Sequence, residues 1–217
     1  MKTIFTSLFF VLIFASCVEE NAEFSCDPVL NSYITAHQQE LQQITITELA
    51  SADISYQQAV FRSFDAAKKR EIWLQKIQSL LSTQNYSTEE YTHLVNLQRH
   101  IQENYFTKEN IDSQANERSQ FAADWMMYAK SDLGWSDKYV AFVVYRLYTN
   151  YAQFDAELNV LKSIQKQVFA NSEEGGGSTC NCNTSDDFCS TSCQSTGCQS
   201  TSGCGWLWSE TCDGSCS

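Results

Sequence analysis

The feature that most restricts how this chain can fold is a dense group of cysteines at its C-terminal end. Eight of the ten cysteines lie in the last forty residues, after a Gly175-Gly176-Gly177 run. Between them stand mostly Ser, Thr, Gly, Asn, Gln and Asp, which cannot form a core that offsets chain entropy. The tail therefore predicts a disulfide framework in an oxidising compartment. Its cysteines are Cys180, Cys182, Cys189, Cys193, Cys198, Cys204, Cys212 and Cys216.

The spacing of these cysteines argues against other cysteine chemistry. The tail has no C-x2-C unit, which disfavours a zinc ribbon or a thioredoxin-like redox pair, and we predict no metal and no cofactor. Eight cysteines allow 105 pairings, and the spacing does not choose among them. We expect four disulfides within the tail, each worth about 2–4 kcal/mol.

The N-terminus predicts export. Residues 1–17 combine an early Lys2 with an apolar run of about a dozen residues, which fits a signal peptide and is too short to span a bilayer. Small residues before Cys17 suggest a lipoprotein signal with Cys17 as the lipid attachment site and a short tether at 18–26. Lipidation leaves Cys26 as the odd cysteine, which could link two chains in a dimer. Ordinary signal cleavage would instead let all ten cysteines pair.

The charge distribution excludes one class of partner. The net charge is −12, and the chain from Glu173 to Ser217 has no Lys or Arg. Nucleic-acid binding depends on Lys and Arg contacts to phosphates, so we predict no nucleic-acid partner. Anionic lipid headgroups are disfavoured for the same reason, which leaves a lipid anchor as the predicted route to a membrane.

Residues 27–171 predict a compact all-α bundle of about six helices. Apolar residues recur at three- to four-residue spacing, and the segment contains one proline. Helix starts are indicated at Asp27-Pro28, Asp65, the Ser87/Glu90 capping box and Ser136-Asp137, the last beginning a long sixth helix that continues to Val168. The stretch Ile44–Leu49 has the weakest helical pattern. No strand is expected in this segment, and the tail after it is expected to be dominated by loops.

The bundle offers little that predicts catalysis. His93 and His100 are interpreted as polar residues on a wet helix face, because the His100/Glu103 pair has no facing partner for a metal. Lys68, Lys69 and Arg70 are interpreted as a solvated first helical turn. The aromatic residues of the sixth helix fit a core better than a ligand groove, and we predict that the chain is not an enzyme.

The two remaining features lie in the tail region. Residues 172–179 predict a linker, in which Gly175, Gly176 and Gly177 serve as a hinge or as a processing site. Trp206, Leu207 and Trp208 are either the small core of the 180–217 tail or a contact patch. We favour the contact patch and predict that these three residues touch the target.

The tail resembles fulvocin C, a small cysteine-rich bacteriocin. The likeness rests on the Cys180-Asn-Cys182 start, Asp187-Phe188-Cys189 and Gly203-Cys204-Gly205-Trp206. The whole chain resembles the fulvocin C-related proteins, which join an exported helical region to such a tail. In the helical region the matching stretch runs from Ala59 to Trp73. The resemblance implies a secreted antagonist or its precursor.

Two functions follow from these features. The first is an exported bacteriocin-like protein whose disulfide-linked tail is an effector carried by the helical domain. The alternative is a non-toxic surface lipoprotein whose tail is an adhesion or recognition module. In both, the target lies on a neighbouring cell or surface and is unknown. If the tail and bundle are separate units, reduction unfolds the tail and leaves the helices intact.

Overall fold

A computed structural model describes residues 24–168, 181–189 and 192–216, with only the backbone described for 160–168. The signal peptide, Cys17, the linker with Gly175 to Gly177, and Cys180 therefore lie outside the described residues. Nine helices and one two-stranded sheet form the described part. The fold is mostly helical, and the expectation of a purely helical chain is corrected by the sheet.

The helices follow one another with short connections. In chain order they are α1 (Pro28–Leu41), α2 (Ile46–Leu49), α3 (Ile54–Ser63), α4 (Ala66–Thr83), α5 (Thr88–His100), α6 (Lys108–Ser113), α7 (Ala115–Ser131), α8 (Asp137–Val144) and α9 (Tyr151–Val168).

Polar side chains fix where several helices begin, as the sequence predicted. Asp27 Oδ1 accepts from the Val29 and Leu30 N–H groups at the start of α1. Asp65 caps α4, and Ser136 caps α8. Ser87 and Glu90 form both bonds of a capping box on α5. These caps satisfy N–H groups that a helix cannot pair internally.

The predicted long sixth helix is instead two helices, α8 and α9. The break has two local causes. Lys76 from α4 donates to the carbonyl oxygens of Phe142, Val143 and Arg146, the last of them beyond the end of α8. Asn150 Oδ1 then accepts from the Ala152 N–H at 2.8 Å and starts α9. Because Lys76 is fully buried, burial holds its pKa well below the ordinary lysine value.

The tail contains a β-hairpin that the sequence analysis missed. Strand β1 (Cys193–Cys204) pairs antiparallel with β2 (Glu210–Cys216), and the chain reverses through a 3₁₀ turn at Trp206–Trp208. Cys193 lies opposite Cys216 in the sheet. Outside the two strands, the backbone of Cys182 forms an isolated antiparallel β-bridge with Gly214. The strands consist mostly of Ser, Thr, Gly and Cys, with polar Gln, Glu and Asp between them, so they lack the apolar alternation that usually predicts a strand.

One hydrophobic core runs through the helices and the tail. It includes Phe61, Trp73 and Phe142 from the helices and Trp206, Leu207 and Trp208 from the hairpin turn. Most aromatic residues of the predicted sixth helix are buried here, which agrees with their interpretation as core. In the described part of the chain, no helix combines the length and the apolarity needed to cross a membrane.

Candidate functional site

The junction between the tail and the helices is the most elaborate site in the molecule. Trp206, Leu207 and Trp208 were expected to be a target-contact patch, and the structure places them in the core instead. They are 3%, 0% and 0% exposed. The physical reason is that the helices supply the apolar surface that the tail lacks, so the three side chains are buried there.

Trp208 is the centre of this junction. Its ring meets Phe61 edge-on at a centroid distance of 5.4 Å and Trp73 at 6.3 Å. Its indole N–H donates to the Tyr145 carbonyl at 2.9 Å. Leu207 and Trp208 hold positive φ values of 50° and 57°, a conformation that costs energy for residues with a side chain. Burial of the two side chains offsets that cost.

Two buried polar side chains of α3 bind the backbone of the hairpin. Gln58 Nε2 donates to the Gly203 carbonyl at 2.9 Å and to the Asn181 carbonyl at 3.0 Å. Arg62 Nε donates to the Ser202 carbonyl at 2.7 Å. These bonds satisfy backbone carbonyl groups of the tail at its junction with α3.

Arg62 also connects the tail to the beginning of the described chain. Its Nη1 donates to the Phe24 carbonyl at 2.7 Å, and its Nη2 lies 2.9 Å from Cys212 Sγ. Arg62 stands in the stretch that carries the resemblance in the helical region. The resemblance assigned it no role, and an arginine beside Phe61 gave no sequence signal for tail binding.

The basic cluster at the start of α4 is not a solvated turn, so that interpretation was wrong. Lys69 Nζ donates to Ser202 Oγ at 3.2 Å, and burial, with Arg62 nearby, lowers its pKa to about 8. Arg70 Nε donates to the Ile101 carbonyl at 3.1 Å. Lys68 is held by Glu71. Two of the three cations therefore bind other elements of the fold.

A second polar contact joins the tail to the region between α8 and α9. Asp187 is buried, and its carboxylate accepts from the backbone N–H groups of Asn183, Phe188 and Gly205. Arg146 Nη1 lies 3.5 Å from the same carboxylate, and its Nη2 donates to the Phe188 carbonyl. Burial raises the pKa of Asp187, although Arg146 and these N–H groups oppose the rise.

Gly205 has no room for a side chain. Its φ is +66°, and an added Cβ would lie 2.4 Å from Glu210 Cγ and 2.9 Å from the Asp186 carbonyl oxygen. We expect Gly205→Ala to lower the free energy of unfolding by about 2–3 kcal/mol, since strain and steric conflict combine. Gly197→Ala is the matched control, because a Cβ there meets nothing within 4 Å. Urea unfolding of both variants measures the difference. Equal stability of the two would contradict the described turn.

The disulfides correct the prediction of four bridges confined to the tail. Three bridges lie within the tail and one joins it to the residues before α1. The described pairs are Cys26–Cys198, Cys182–Cys193, Cys189–Cys216 and Cys204–Cys212.

Cys26 is therefore not the odd cysteine, and a dimer through it is not what the structure shows. Its partner was missed because 172 positions separate it from Cys198 and no spacing rule spans such a distance. The two cysteines outside the described pairs are Cys17 and Cys180. The sulfurs of Cys182, Cys189 and Cys216 lie within 4.8 Å of one another, but each belongs to a disulfide and offers no thiolate.

His93 and His100 do not lie on a wet helix face, which corrects their interpretation. His93 stacks on Trp125 at a centroid distance of 4.2 Å, and His100 stacks on Phe121 at 3.5 Å. Burial lowers the pKa of each histidine from 6.5 to about 4. Both rings are therefore neutral at pH 7 and pack as aromatic side chains.

This burial predicts a loss of stability in mild acid. The unfolded chain takes up protons on both histidines below pH 6.5, whereas the folded chain does so only near pH 4. The free energy of unfolding should therefore decrease as the pH is lowered from 6.5 to about 4. Below pH 4 the histidines should cause little further change. A His93→Phe/His100→Phe variant should show a flatter profile in urea unfolding between pH 7 and pH 4.

The half-buried His37 provides the control for that experiment. His37→Phe leaves His93 and His100 in place, so it should keep the pH dependence that those two residues cause. Asp187 and Glu157 have raised pKa values and act with the opposite sign. They are present in every variant, so the difference between variants isolates the histidines. Identical profiles for the double variant and the parent would contradict the buried, neutral state of His93 and His100.

The cavities on the described surface include three that the site residues line. A cleft of about 270 Å³ lies between α7 and the tail, with Trp206, Met126 and Ala122 as apolar walls and Arg118, Asp186 and Glu210 as charged ones. A second, of about 160 Å³, contains His100 and Arg118. A third, of about 300 Å³, is lined by His93 and Tyr128. The cleft at the tail is the one that both parts of the molecule build.

Comparison of the chain with protein-family models, with curated proteins and with solved structures finds no match.

Proposed function

We propose that this chain is an exported, fulvocin C-related surface protein that acts on its target as one folded body. The observation that carries this proposal is the burial of Trp206, Leu207 and Trp208 among the helices. A tail that acted as a free peptide would have to expose all three side chains to water and leave a matching gap in the helical core. Four disulfides in the described residues support an oxidising, extracellular location.

The same contacts bear on processing at Gly175, Gly176 and Gly177. A cut there would leave the tail covalently joined to the helical part through Cys26–Cys198. The buried bonds from Gln58 and Arg62 would hold it as well. The glycines therefore serve this proposal as a hinge, and anchoring falls to lipid on Cys17.

The proposed target contact is the cleft between α7 and the tail. Trp206 forms part of its wall, although only 3% of the side chain is exposed. Asp186 and Glu210 outnumber Arg118 and make the charged side acidic, and Met126 with Ala122 makes another side apolar. Such a cleft suits an extended segment with a basic and an apolar side chain on the surface of a neighbouring cell. Recognition at this cleft can serve either adhesion or contact-dependent killing.

The test compares the intact chain with its separated tail. A protease site introduced within residues 172–179 allows a controlled cut, and binding and growth inhibition are then measured on a panel of bacterial cells. We expect the cut, oxidised protein to remain one particle in size-exclusion chromatography and to bind cells as the uncut protein does. A synthetic 180–217 peptide, oxidised alone, should neither bind nor inhibit. A peptide that kills cells by itself would overturn the proposal in favour of a released bacteriocin.

A further inference from the structure

Arg118 is a buried cation that Glu210 compensates only from a distance, without a direct ion pair. The residue is 6% exposed, and its guanidinium lies over the Tyr105 ring at 3.7 Å from the centroid. Nη1 donates to the Tyr105 carbonyl at 2.7 Å and to Asn110 Oδ1 at 3.1 Å. Nη2 is buried without a hydrogen-bond partner. Among the described residues, no carboxylate forms an ion pair with it.

His100 lines the same cavity and carries a second unpaired nitrogen. His100 Nε2 is buried without a hydrogen-bond partner, while its ring stacks on Phe121. Burial and the nearby Arg118 charge lower the pKa of His100 to about 4, so the ring is neutral at pH 7 and can donate one N–H. An unpaired buried donor is unfavourable, more so beside a charge, and a ligand that accepts from it removes that penalty.

The cavity has a polar lining around these two nitrogens. Its volume is about 160 Å³. The rim is formed by the exposed side chains of Gln102, Asn104, Gln114 and Glu117. Arg118 also borders the cleft beside the tail, but His100 lines only the smaller cavity. The two residues that carry unpaired nitrogens therefore line this cavity together.

We propose that this cavity binds a small monocarboxylate, whose oxygens accept from Arg118 Nη2 and His100 Nε2. A carboxylate supplies a direct ion-pair partner for Arg118 and two acceptor oxygens, one for each of the two unpaired nitrogens. The volume suits a carboxylate that carries a short chain or one amino-acid-sized group. The site shares Arg118 with the wall of the target cleft but is a different cavity, which His100 also lines, and the proposal does not depend on the proposed function.

Charge favours a carboxylate over phosphate. Arg118 is the one cation among the eight lining residues, and Glu117 adds a negative charge at the rim. The chain as a whole carries a net charge of −12, which repels a dianion more strongly than a monoanion. Phosphate sites usually gather more than one positive group or several backbone N–H groups.

The test is a titration of the intact, oxidised protein, in which two-dimensional NMR monitors the signals of the histidine rings. The probes are sodium propionate, N-acetylalanine, N-acetylalaninamide and inorganic phosphate. We expect saturable shifts of the His100 signals with a carboxylate probe and none with the amide or phosphate. Propionate binding alone would indicate a free acid as the natural ligand, whereas stronger binding of N-acetylalanine would indicate a peptide C-terminus.

Two variants make the assignment falsifiable. His100→Phe keeps an aromatic ring against Phe121 and removes Nε2, and it should weaken carboxylate binding about tenfold or more, as expected for a lost hydrogen bond to a charged group. His93→Phe is the matched control on the other stacked histidine and should leave the affinity unchanged. Arg118→Lys should abolish binding, with circular dichroism confirming that the fold is kept. The His100→Phe variant has no His100 signal to observe, so calorimetry measures its affinity for the carboxylate. The absence of carboxylate binding, an equal response to phosphate, or unchanged binding in His100→Phe would overturn the proposal.

Discussion

Replacing Trp208 with alanine should lower the temperature at which the helices and the tail unfold, and the two should unfold together. The side chain is fully buried between Phe61 and Trp73, and its indole N–H donates to the Tyr145 carbonyl. Truncation of a buried tryptophan costs about 3–5 kcal/mol. For a chain of this size the melting temperature should fall by roughly 10 °C or more. Circular dichroism at 222 nm, followed during heating, measures the effect directly.

The form of the transition is as informative as its midpoint. Trp208 belongs to the tail, yet its neighbours are helical, so the helical signal of Trp208→Ala should be lost in one cooperative step at the lower temperature. Tyr91→Ala is a matched control, because Tyr91 is 50% exposed on α5 and its removal should change little. A Trp208→Ala protein whose helices melt at the parent temperature would show that the tail folds apart from them.

This expectation replaces the one that the sequence suggested, in which reduction unfolds the tail and spares the helices. The difference has a specific origin. Sequence patterns report local preferences, and Asp27, Asp65, Ser87 and Ser136 act within four residues of themselves, so their helix starts were predictable. The helix α2 had a usable signal too, the Thr45/Glu48 capping box, which the weak apolar pattern concealed.

The candidate site was less predictable, because its contacts join residues more than a hundred positions apart. Gln58 and Gly203, or Arg62 and Ser202, are connected by hydrogen bonds to backbone carbonyls, which leave no pattern in the sequence. A polar residue that is buried to bind another element looks the same in sequence as a polar residue in water. For that reason Lys69, His93 and His100 were all interpreted as solvated. The apolar content of Trp206 to Trp208 was visible, but the surface that covers it was not.

The second large effect should come from the Cys26–Cys198 bridge. It closes a loop with a sequence separation of 172, far longer than the separation of 11 closed by Cys182–Cys193. In the chain-entropy account, the long loop is worth about 5 kcal/mol and the short one about 3 kcal/mol. Cys26→Ser/Cys198→Ser should therefore lower the melting temperature by about 10–20 °C, and Cys182→Ser/Cys193→Ser by less.

The comparison of these two variants separates the role of the bridge from a general loss of cross-links. Peptide mapping under non-reducing conditions must first show that the other three described pairs are kept, since the sulfurs of Cys182, Cys189 and Cys216 are close together. If Cys26 is paired within its own chain, a thiol reagent should not label it in the native protein. Equal destabilisation by both variants would indicate that the long bridge restricts the unfolded chain less than its length implies. Labelling of Cys26, or a Cys26-linked dimer, would contradict the bridge itself. The bridge joins the residues before α1 to strand β1. If the chain is cleaved within 172–179 and then unfolded, the variant without this bridge should release its tail. The parent protein should keep its tail attached under the same conditions.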